Sequence, residues 1–483
     1  MPELTQRRRL LVLAICCMSL LIVAMDVTIV NVALPAIRSD LHASLSGLQW
    51  TIDSYLLVIA SLLMLAGSTA DRLGRRRTFQ AGLVLFTIGS LLCSLAPGLG
   101  WLVAFRMVQA VGGSMLNPVA MSIITNVFTD PRDRARAIGV WGGVVGISMG
   151  LGPVVGGLLI GTVGWRAIFW INIPIGLVAF VLAALFVPES KADRARRPDP
   201  MGQLLVLVAL ASLTYAIIEA PRSGWASATT LGLVALSLAA VVGLLVYEPR
   251  RTDPLLELRF FRSVPFSGAT VTAVCAFGAF AGFLFLNTLY LQDVRGLSAL
   301  QAGLCTLPMA LMTLVFAPLS GRLVGARGPR VPLLVAGTGM CAGALMLVAL
   351  GADTSLGWVL ASYVVFGIGF GMVNSPITNT AVSGMPRSQA GVAAAVASTS
   401  RQVGAALGVA VVGAVLNSGL HGPIRTGFTA ASHPAWWVVA GSGLAVLALG
   451  ALTTGRWAIS TAARTAHLFA DDEREQTPAP APA

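Results

Sequence analysis

Residues 10–34 read LLVLAICCMSLLIVAMDVTIVNVAL, a stretch of 25 residues with one ionisable side chain, Asp26. A membrane-spanning helix needs about 20 consecutive apolar residues, so this stretch is long enough to cross a bilayer. It is also too long for the apolar core of a cleavable signal peptide, and no small-residue cleavage site follows it. A carboxylate near the middle of such a helix costs roughly 2.5–3.5 kcal/mol on insertion scales, so Asp26 indicates a proton or ion site. The alternative is a hydrogen bond to a neighbouring helix that serves only packing.

The composition indicates a protein that crosses the membrane many times. The chain has 483 residues, of which 56% are hydrophobic and 11% are charged, and its mean hydropathy is +0.82. A soluble domain has roughly 25% charged residues, so a globular enzyme with a single anchor is excluded. The formal net charge of +12 lies in short loops between apolar runs, which argues against nucleic-acid binding. All six cysteines fall in apolar segments without disulfide or zinc-site spacing, so we interpret them as core residues.

Fourteen apolar spans can be placed along the chain, which predicts an all-α integral membrane protein. The spans lie at 10–34, 48–70, 78–97, 101–128, 136–160, 166–187, 201–220, 229–248, 264–290, 300–321, 331–351, 357–382, 391–417 and 435–458.

The basic residues predict that both termini are cytoplasmic. With the first residue inside, 26 of the 32 Lys and Arg residues fall in cytoplasmic segments, five fall in external ones and Arg106 lies within a span. The bias keeps one sign along the whole chain, as the positive-inside rule requires of a correct helix count. The longest external segment is 417–434, which is long enough to fold locally. Residues 459–483 contain an acidic cluster and a Pro–Ala repeat and are expected to form a disordered cytoplasmic tail.

An internal repeat divides the spans into two halves. Three features recur at nearly one offset: Gly67 and Gly321 are 254 residues apart, Asn117 and Asn374 are 257 apart, and Pro131-Arg132 and Pro386-Arg387 are 255 apart. Each feature maps span n onto span n+8. This predicts one six-helix bundle at 1–190, a second at 261–458, and two extra helices with their loops at 191–260. Repeated halves with a substrate site at their interface are the architecture of alternating-access transporters.

Two more charges, Asp53 and Arg106, lie inside spans of the first half. At a rise of 1.5 Å per residue, both lie roughly 8 Å below the outer ends of their helices, and Asp26 lies about 12 Å below the outer end of its own. A buried arginine needs an acidic partner or a water-filled cavity, so we predict that Asp26, Asp53 and Arg106 form one charge cluster. The alternative is that Asp53 and Arg106 extend to the outer membrane interface.

The loop after span 2 is a candidate gating element. It contains Asp71, Arg72, Gly74 and Arg75, where the glycine permits a tight turn and the charges can latch one face of the protein in one state. The alternative is that the arginines only set the topology. The second copy of this loop has Gly325 in place of Asp71, so the acidic latch belongs to the first half alone.

Span 5 is a second candidate for conformational change. It contains Gly146, Gly150, Gly152, Pro153 and Gly156. Glycines four residues apart let two helices approach closely, and proline removes a helical hydrogen bond and allows bending. This helix is therefore either a hinge between states or a close-packing surface.

Polar residues inside other spans are candidates for a substrate cavity. They are Asn31, Gln109, Asn287, Asn374 and Arg401, and hydrogen bonding between helices is the competing interpretation. No metal-ligand spacing occurs, and no G-x-x-x-x-G-K-[ST] loop for nucleotide binding is present. We therefore expect no cofactor and no metal, with energy supplied by a proton gradient.

Several of these motifs resemble those of one known family. Asp26-Val-Thr-Ile-Val-Asn-Val-Ala-Leu-Pro35 resembles the helix 1 signature of the fourteen-helix drug:proton antiporters (QacA/EmrB type) of the major facilitator superfamily. The superfamily's loop 2–3 motif is similar to the run from Gly67 to Arg76, its helix 4 motif to the run from Arg106 to Gly112, and the antiporter motif of helix 5 to the run from Gly146 to Gly157. The match extends in order over residues 10–458 and includes Trp165-Arg166…Asn172-Ile-Pro174.

The resemblance implies export of lipophilic, often cationic, compounds against inward proton flow. It implies that Asp26 is a protonation site coupled to substrate and that Arg106 belongs to the proton relay. Burial disfavours the charged carboxylate whereas Arg106 favours it, and rocking between states would change the balance. Beyond Asp293 no carboxylate lies inside spans 9–14, which argues against a polyvalent cationic substrate.

The expected protein is thus a monomeric, proton-coupled multidrug exporter in a bacterial cytoplasmic membrane. Its partners are small-molecule substrates, protons and the lipid bilayer, with no nucleic acid. The alternative is a dedicated exporter of an endogenous metabolite or antibiotic, and a more remote one is a membrane sensor that transports nothing. An enzyme is excluded because Asp26, Asp53 and Arg106 lack a nucleophile or a metal-ligand set.

Overall fold

The computed structural model describes residues 5–192, 199–251, 254–383 and 390–475. Within these ranges fifteen long helices follow one another. Their bounds are α1 Gln6–Leu41, α2 Leu45–Leu73, α3 Arg75–Ser94, α4 Leu99–Val127, α5 Pro131–Thr162, α6 Ala167–Phe186, α7 Pro200–Ser223, α8 Ala228–Tyr247, α9 Val264–Leu289, α10 Ala299–Arg327, α11 Arg330–Leu345, α12 Leu356–Val382, α13 Ala390–Gly419, α14 Ile424–Leu452 and α15 Arg456–Glu475.

The helices α1–α14 fall at the places of the fourteen expected spans. Thirteen helices in the described ranges are long and apolar enough to cross a membrane, which supports an all-α, multi-pass membrane protein. The exception is α11, which is apolar but ends at Leu345, whereas the expected span reaches residue 351. A π-helical turn, Tyr290–Val294, extends α9.

The structure defines two regions near the C-terminus beyond what the sequence predicts. The helix α14 begins at Ile424, so most of the expected external segment 417–434 is helical. The expected disordered tail, 459–483, instead begins with α15, which runs to Glu475, and residues 476–483 lie outside the described ranges. Ala458, Thr461, Ala462 and Thr465 are buried and recur at helical spacing, so one face of α15 packs on the bundle.

Local sequence explains where several helices begin and end. The side chain of Ser44 accepts a hydrogen bond from Gly47 N at the start of α2, and Asp130 caps α5 just before a proline at its first position. Between α2 and α3, Gly74 has φ +114°, a conformation that residues with a Cβ rarely adopt. The tight turn predicted there is present.

The helices pack as two bundles, α1–α6 and α9–α14, which meet along a seam where α2 contacts α13 and α5 contacts α10. The extra helix α7 packs beside this seam against α2 and α13, and α8 packs on α7. We call the end of the bundle that carries Arg72, Arg132 and Arg327 the basic end, and the other end the opposite end. A hydrogen bond from Arg8 Nε to Phe186 O at the basic end links α1 to α6 within the first bundle.

Candidate functional site

The charge inside α1 is part of a polar core within the first bundle. Asp26 is fully buried and Arg106 is 1% exposed, and the Nη1 of Arg106 donates to Oδ2 of Asp26. The structure therefore brings these two predicted site residues together as a buried ion pair. Removing either partner would leave the other charge buried and alone, which is a strongly destabilising state.

Neutral side chains complete the hydrogen bonding of this ion pair. Gln109 Nε2 donates to Asp26 Oδ1 over 2.8 Å, and Asn172 Nδ2 donates to the same oxygen over 3.2 Å. Both amides also donate to Ser90 Oγ, at 2.7 and 3.2 Å. The carboxylate of Asp26 thus accepts from three donors that belong to α4 and α6.

The guanidinium of Arg106 is held on its other sides as well. Its Nε donates to Thr51 O over 3.3 Å, and its Nη1 also donates to Gln109 Oε1 over 2.7 Å. Its central carbon lies 4.0 Å from the ring centroid of Tyr55, a cation–π arrangement. Donors from α4 and α6 thus engage both carboxylate oxygens of Asp26, and Thr51, Gln109 and Tyr55 surround the guanidinium of Arg106.

Asp53 lies outside this cluster, which corrects the predicted cluster of three charges. It is fully buried, and neither carboxyl oxygen has a hydrogen-bond partner among the described residues. Gln49, one helical turn earlier on the same face of α2, donates to Val409 O and Ala410 O of α13. Asp53 therefore faces the seam between the two bundles, on the side of α2 that points away from Arg106. Interfacial placement, the alternative for Asp53 and Arg106, is also excluded by their burial.

The loop between α2 and α3 is latched to its own bundle. Arg75 pairs with Asp71 over 2.9 Å, and Arg72 is exposed. A further tether comes from Glu189, three residues after the end of α6, whose Oε1 accepts from Arg76 N over 3.1 Å at the start of α3. Glu189 also lies within 3.8 Å of the Arg76 side chain. The sequence analysis did not select Glu189, whose only signal was an acid next to a basic cluster.

The small residues of α5 pack in two directions. A Cβ at Gly152 or Gly156 would overlap Thr28 or Ile29 of α1, which belongs to the same bundle.

On its other face, α5 meets α10 across the seam. Gly150 lies against Ala310, and a Cβ at Gly303 would overlap Pro153 O. Gly146 likewise faces Leu314. The small residues of α5 therefore form a close-packing surface, which is one of the two roles predicted for this helix. Part of that packing lies at the contact between the two bundles.

Polar contacts close the seam at the opposite end. Arg38 of α1 pairs with Asp293 of the π-helical turn over 2.8 Å, and Gln292 Nε2 donates to Val32 O over 2.9 Å. Together with the backbone contact between α5 and α10, they join the two bundles at this end.

The predicted cavity residues separate into three groups. Gln109 is fully buried in the polar core, where it contacts Asp26 and Arg106. Asn31 and Asn287, 256 residues apart, each donate to the backbone carbonyl four residues earlier over 2.9 Å, and the Oδ1 of each is buried without a partner among the described residues. Asn374 is exposed, and Arg401 is partly exposed on α13.

Two residues of the polar core, Ser90 and Asn172, were not predicted as site residues. Asn172 stands within the segment Trp165–Pro174 that carries part of the resemblance, and a polar side chain inside a span was its only other signal. Within the described ranges, no group of three His, Cys, Asp or Glu residues is placed to hold a metal ion.

Comparisons with known proteins agree with this architecture. Residues 16–409 match the Major Facilitator Superfamily. The chain is 39% identical to the tetracenomycin C resistance and export protein of Streptomyces glaucescens over 82% of this chain and 74% of that protein. It is 37% identical to the multidrug resistance protein Stp of Mycobacterium tuberculosis over 85% of this chain and 76% of that protein. Among solved structures, a D-xylose–proton symporter has the same fold, with a TM-score of 0.66, 16% identity and coverage of 91% of this chain and 97% of that one.

Proposed function

The chain belongs to the major facilitator superfamily, and from this membership we propose that it is a proton-coupled exporter of lipophilic or cationic drugs. It is a membrane transporter and not an enzyme. We assign it to the fourteen-helix drug:proton antiporter type (QacA/EmrB type) because α7 and α8 stand between two bundles of six helices. Two relatives named for drug resistance, at 37–39% identity, support the substrate class.

The observation that carries proton coupling is the buried ion pair of Asp26 and Arg106. Both oxygens of its carboxylate accept hydrogen bonds in this state, whereas Asp53 at the seam has no partner among the described residues. A buried carboxylate without a partner is costly, so Asp53 carries the proton in this state. When the bundles rock, the proton moves to Asp26 as Arg106 withdraws, and the substrate site changes sides.

The basic end faces the cytoplasm in this proposal, as the positive-inside rule requires, and both termini are cytoplasmic. The contacts at the opposite end then close the external side, so this structure receives substrate from the cytoplasm. The protein acts as a monomer in a bacterial cytoplasmic membrane, and it needs no cofactor beyond the proton gradient.

Drug-driven proton movement in proteoliposomes tests the coupling. Vesicles loaded with a pH-sensitive dye receive ethidium, and the proton flux per ethidium transported is measured for wild type, Asp26→Asn and Asp53→Asn. Each variant should keep ethidium binding and lose coupled proton flux, because Asn keeps the shape of Asp and cannot be protonated. Asp353→Asn, the same substitution at an exposed carboxylate in the turn between α11 and α12, is the control. Wild-type coupling in Asp26→Asn would refute the role of the ion pair.

A dedicated exporter of one antibiotic is the second candidate. The observation that favours it is the 39% identity to a protein named for the resistance to and export of a single compound, tetracenomycin C. Expression in a drug-sensitive host separates the two candidates, since a multidrug exporter raises resistance to chemically unrelated drugs and a dedicated one to a single class. A sensor without transport would raise resistance to none.

A further inference from the structure

Arg401 is a cation inside the second bundle, and none of the acids that the structure describes pairs with it. It lies eleven residues into α13, about 17 Å from the basic end at the helical rise. Its Nη2 donates to Thr378 Oγ1 of α12 over 2.5 Å, and its Nη1 donates to Ser398 Oγ over 3.1 Å. Its Nε is buried without a partner in the described part of the chain.

The sequence of the second bundle contains no acid that can neutralise this charge. Between Val264 and Ala470 there are two acids, Asp293 and Asp353. Asp293 pairs with Arg38 at the opposite end, and Asp353 lies in the turn between α11 and α12 at that same end. Arg401 lies in the half of the bundle nearer the basic end, so neither acid reaches it.

The hydroxyl groups around Arg401 accept hydrogen bonds but carry no charge. A charged side chain inside the membrane is costly unless it is paired or faces a water-filled space. Arg401 is partly exposed and its partner Thr378 is exposed, so the site is open to its surroundings. The guanidinium is therefore available to a ligand.

An aromatic wall stands next to this cation. The central carbon of Arg401 lies 5.9 Å from the ring centroid of Phe277 on α9. Phe277 makes an edge contact with Phe370 of α12 at 5.3 Å, and Phe370 stacks on Phe280 at 4.1 Å. A flat aromatic molecule with an acidic substituent fits this combination, because its ring meets the phenyl rings while its anion meets the guanidinium.

We propose that Arg401 binds the acidic group, a carboxylate or phenolate, of a lipophilic aromatic substrate in the second bundle. This inference rests on the proposed export function. It adds acidic aromatic compounds to the cationic substrates proposed above. The unprotonated acid pairs with Arg401 in the state open at the basic end. Thr378 and Ser398 orient the guanidinium, and the three phenyl rings hold the apolar part.

A matched pair of fluorescent probes tests the inference on the full chain in detergent. The probes are 2-anthracenecarboxylate and 2-anthracenecarboxamide, which share shape and ring system and differ in charge. Wild type should bind the carboxylate at least about tenfold more tightly than the amide, as expected of one charge-assisted pair out of bulk water. Arg401→Gln should remove this preference and leave the affinity for the amide within about twofold. Arg401→Lys should retain part of it.

Three outcomes would overturn the inference: no preference for the carboxylate in wild type, an unchanged preference in Arg401→Gln, or an equal loss of both probes in a folded Arg401→Gln protein. The wild-type comparison needs no variant and stands even if Arg401→Gln fails to fold. Ethidium export driven by a pH gradient is measured on the same preparation. If ethidium is exported but wild type shows no preference for the carboxylate, the inference fails and the exporter function stands. If the preference is present but ethidium is not exported, the Arg401 site stands and the proposed exporter function fails.

Discussion

Replacement of Asp26 by leucine should strongly destabilise the first bundle. The change removes the acceptor of Arg106, Gln109 and Asn172 at once, in a core where Arg106 is 1% exposed. Breaking a buried ion pair by removing one partner costs about 3–5 kcal/mol, because the remaining charge is left unpaired in a dry site. We expect a loss of this size in the free energy of unfolding of Asp26→Leu, and a similar loss for Arg106→Leu.

The double variant Asp26→Leu/Arg106→Leu should be more stable than either single one. Replacing a whole buried ion pair with apolar side chains is often neutral, so the double variant should lie within about 2 kcal/mol of wild type. The resulting coupling energy between the two positions would be several kcal/mol and favourable, which exceeds that of ordinary polar contacts between membrane helices.

The native cysteines supply the assay. Cys16, Cys93 and Cys305 are buried and free, so a thiol-reactive fluorogenic dye reports their exposure as the purified protein is heated or treated with denaturant. The Sγ of Cys93 lies 3.9 Å from Oε1 of Gln109, so labelling of this thiol reports directly on opening of the polar core. Equal stability of Asp26→Leu and wild type, or losses that simply add in the double variant, would refute the account of the ion pair as the electrostatic centre of this bundle.

Three further outcomes follow from the seam and the loops. Gly303→Val places a side chain against the backbone of α5 and should lower the transport rate at least about tenfold, since a closely packed interior does not accommodate such an overlap. Gly161→Val, where a side chain would meet open space, should leave the rate unchanged. Equal transport rates in the two variants would contradict close packing of α5 against α10. Arg38→Asp should speed labelling of cysteines introduced at the opposite end up to about fivefold, because a partly exposed ion pair is worth at most about 1 kcal/mol. Adding Asp293→Arg should restore the slow rate. Glu189→Ala should lower the free energy of unfolding by about 1–2 kcal/mol in the dye assay, because it removes a side chain that caps the start of α3. An unchanged melting temperature would show that the hydrogen bond between Glu189 and Arg76 N does not stabilise the fold.

The sequence predicts the depth of a side chain in the membrane better than its direction. Helical rise placed Asp26 and Arg106 at similar depths, and they do meet. Asp53 has the same depth as Arg106 but faces α13, and Gln109 faces the polar core in place of a cavity. A membrane helix is apolar on all sides, so its pattern does not mark which face is buried, and only the packing of the neighbouring helices decides this.

The helix α15 was missed for a different reason. The acidic residues and the Pro–Ala repeat at the end of the chain dominated the composition of the tail. The buried positions Ala458, Thr461, Ala462 and Thr465 recur every three to four residues, which is a helical pattern that composition alone does not register. Ser90 and Asn172 escaped prediction because neutral polar residues are common in membrane helices and become significant only through their partners.

The backbone contact of Gly303 with Pro153 has a mechanical consequence. It lies near the opposite end of α10, so it acts as a fulcrum, and the rest of that helix, down to Arg327, is a lever arm of about 36 Å at the helical rise. A rotation of about 10° around this point displaces the far tip by roughly 6 Å, close to the width of a small drug molecule, while the fulcrum itself scarcely moves. Because the backbones of Gly303 and Pro153 meet there with no side chain between them, small rotations about this contact would open a gap of molecular dimensions at the basic end.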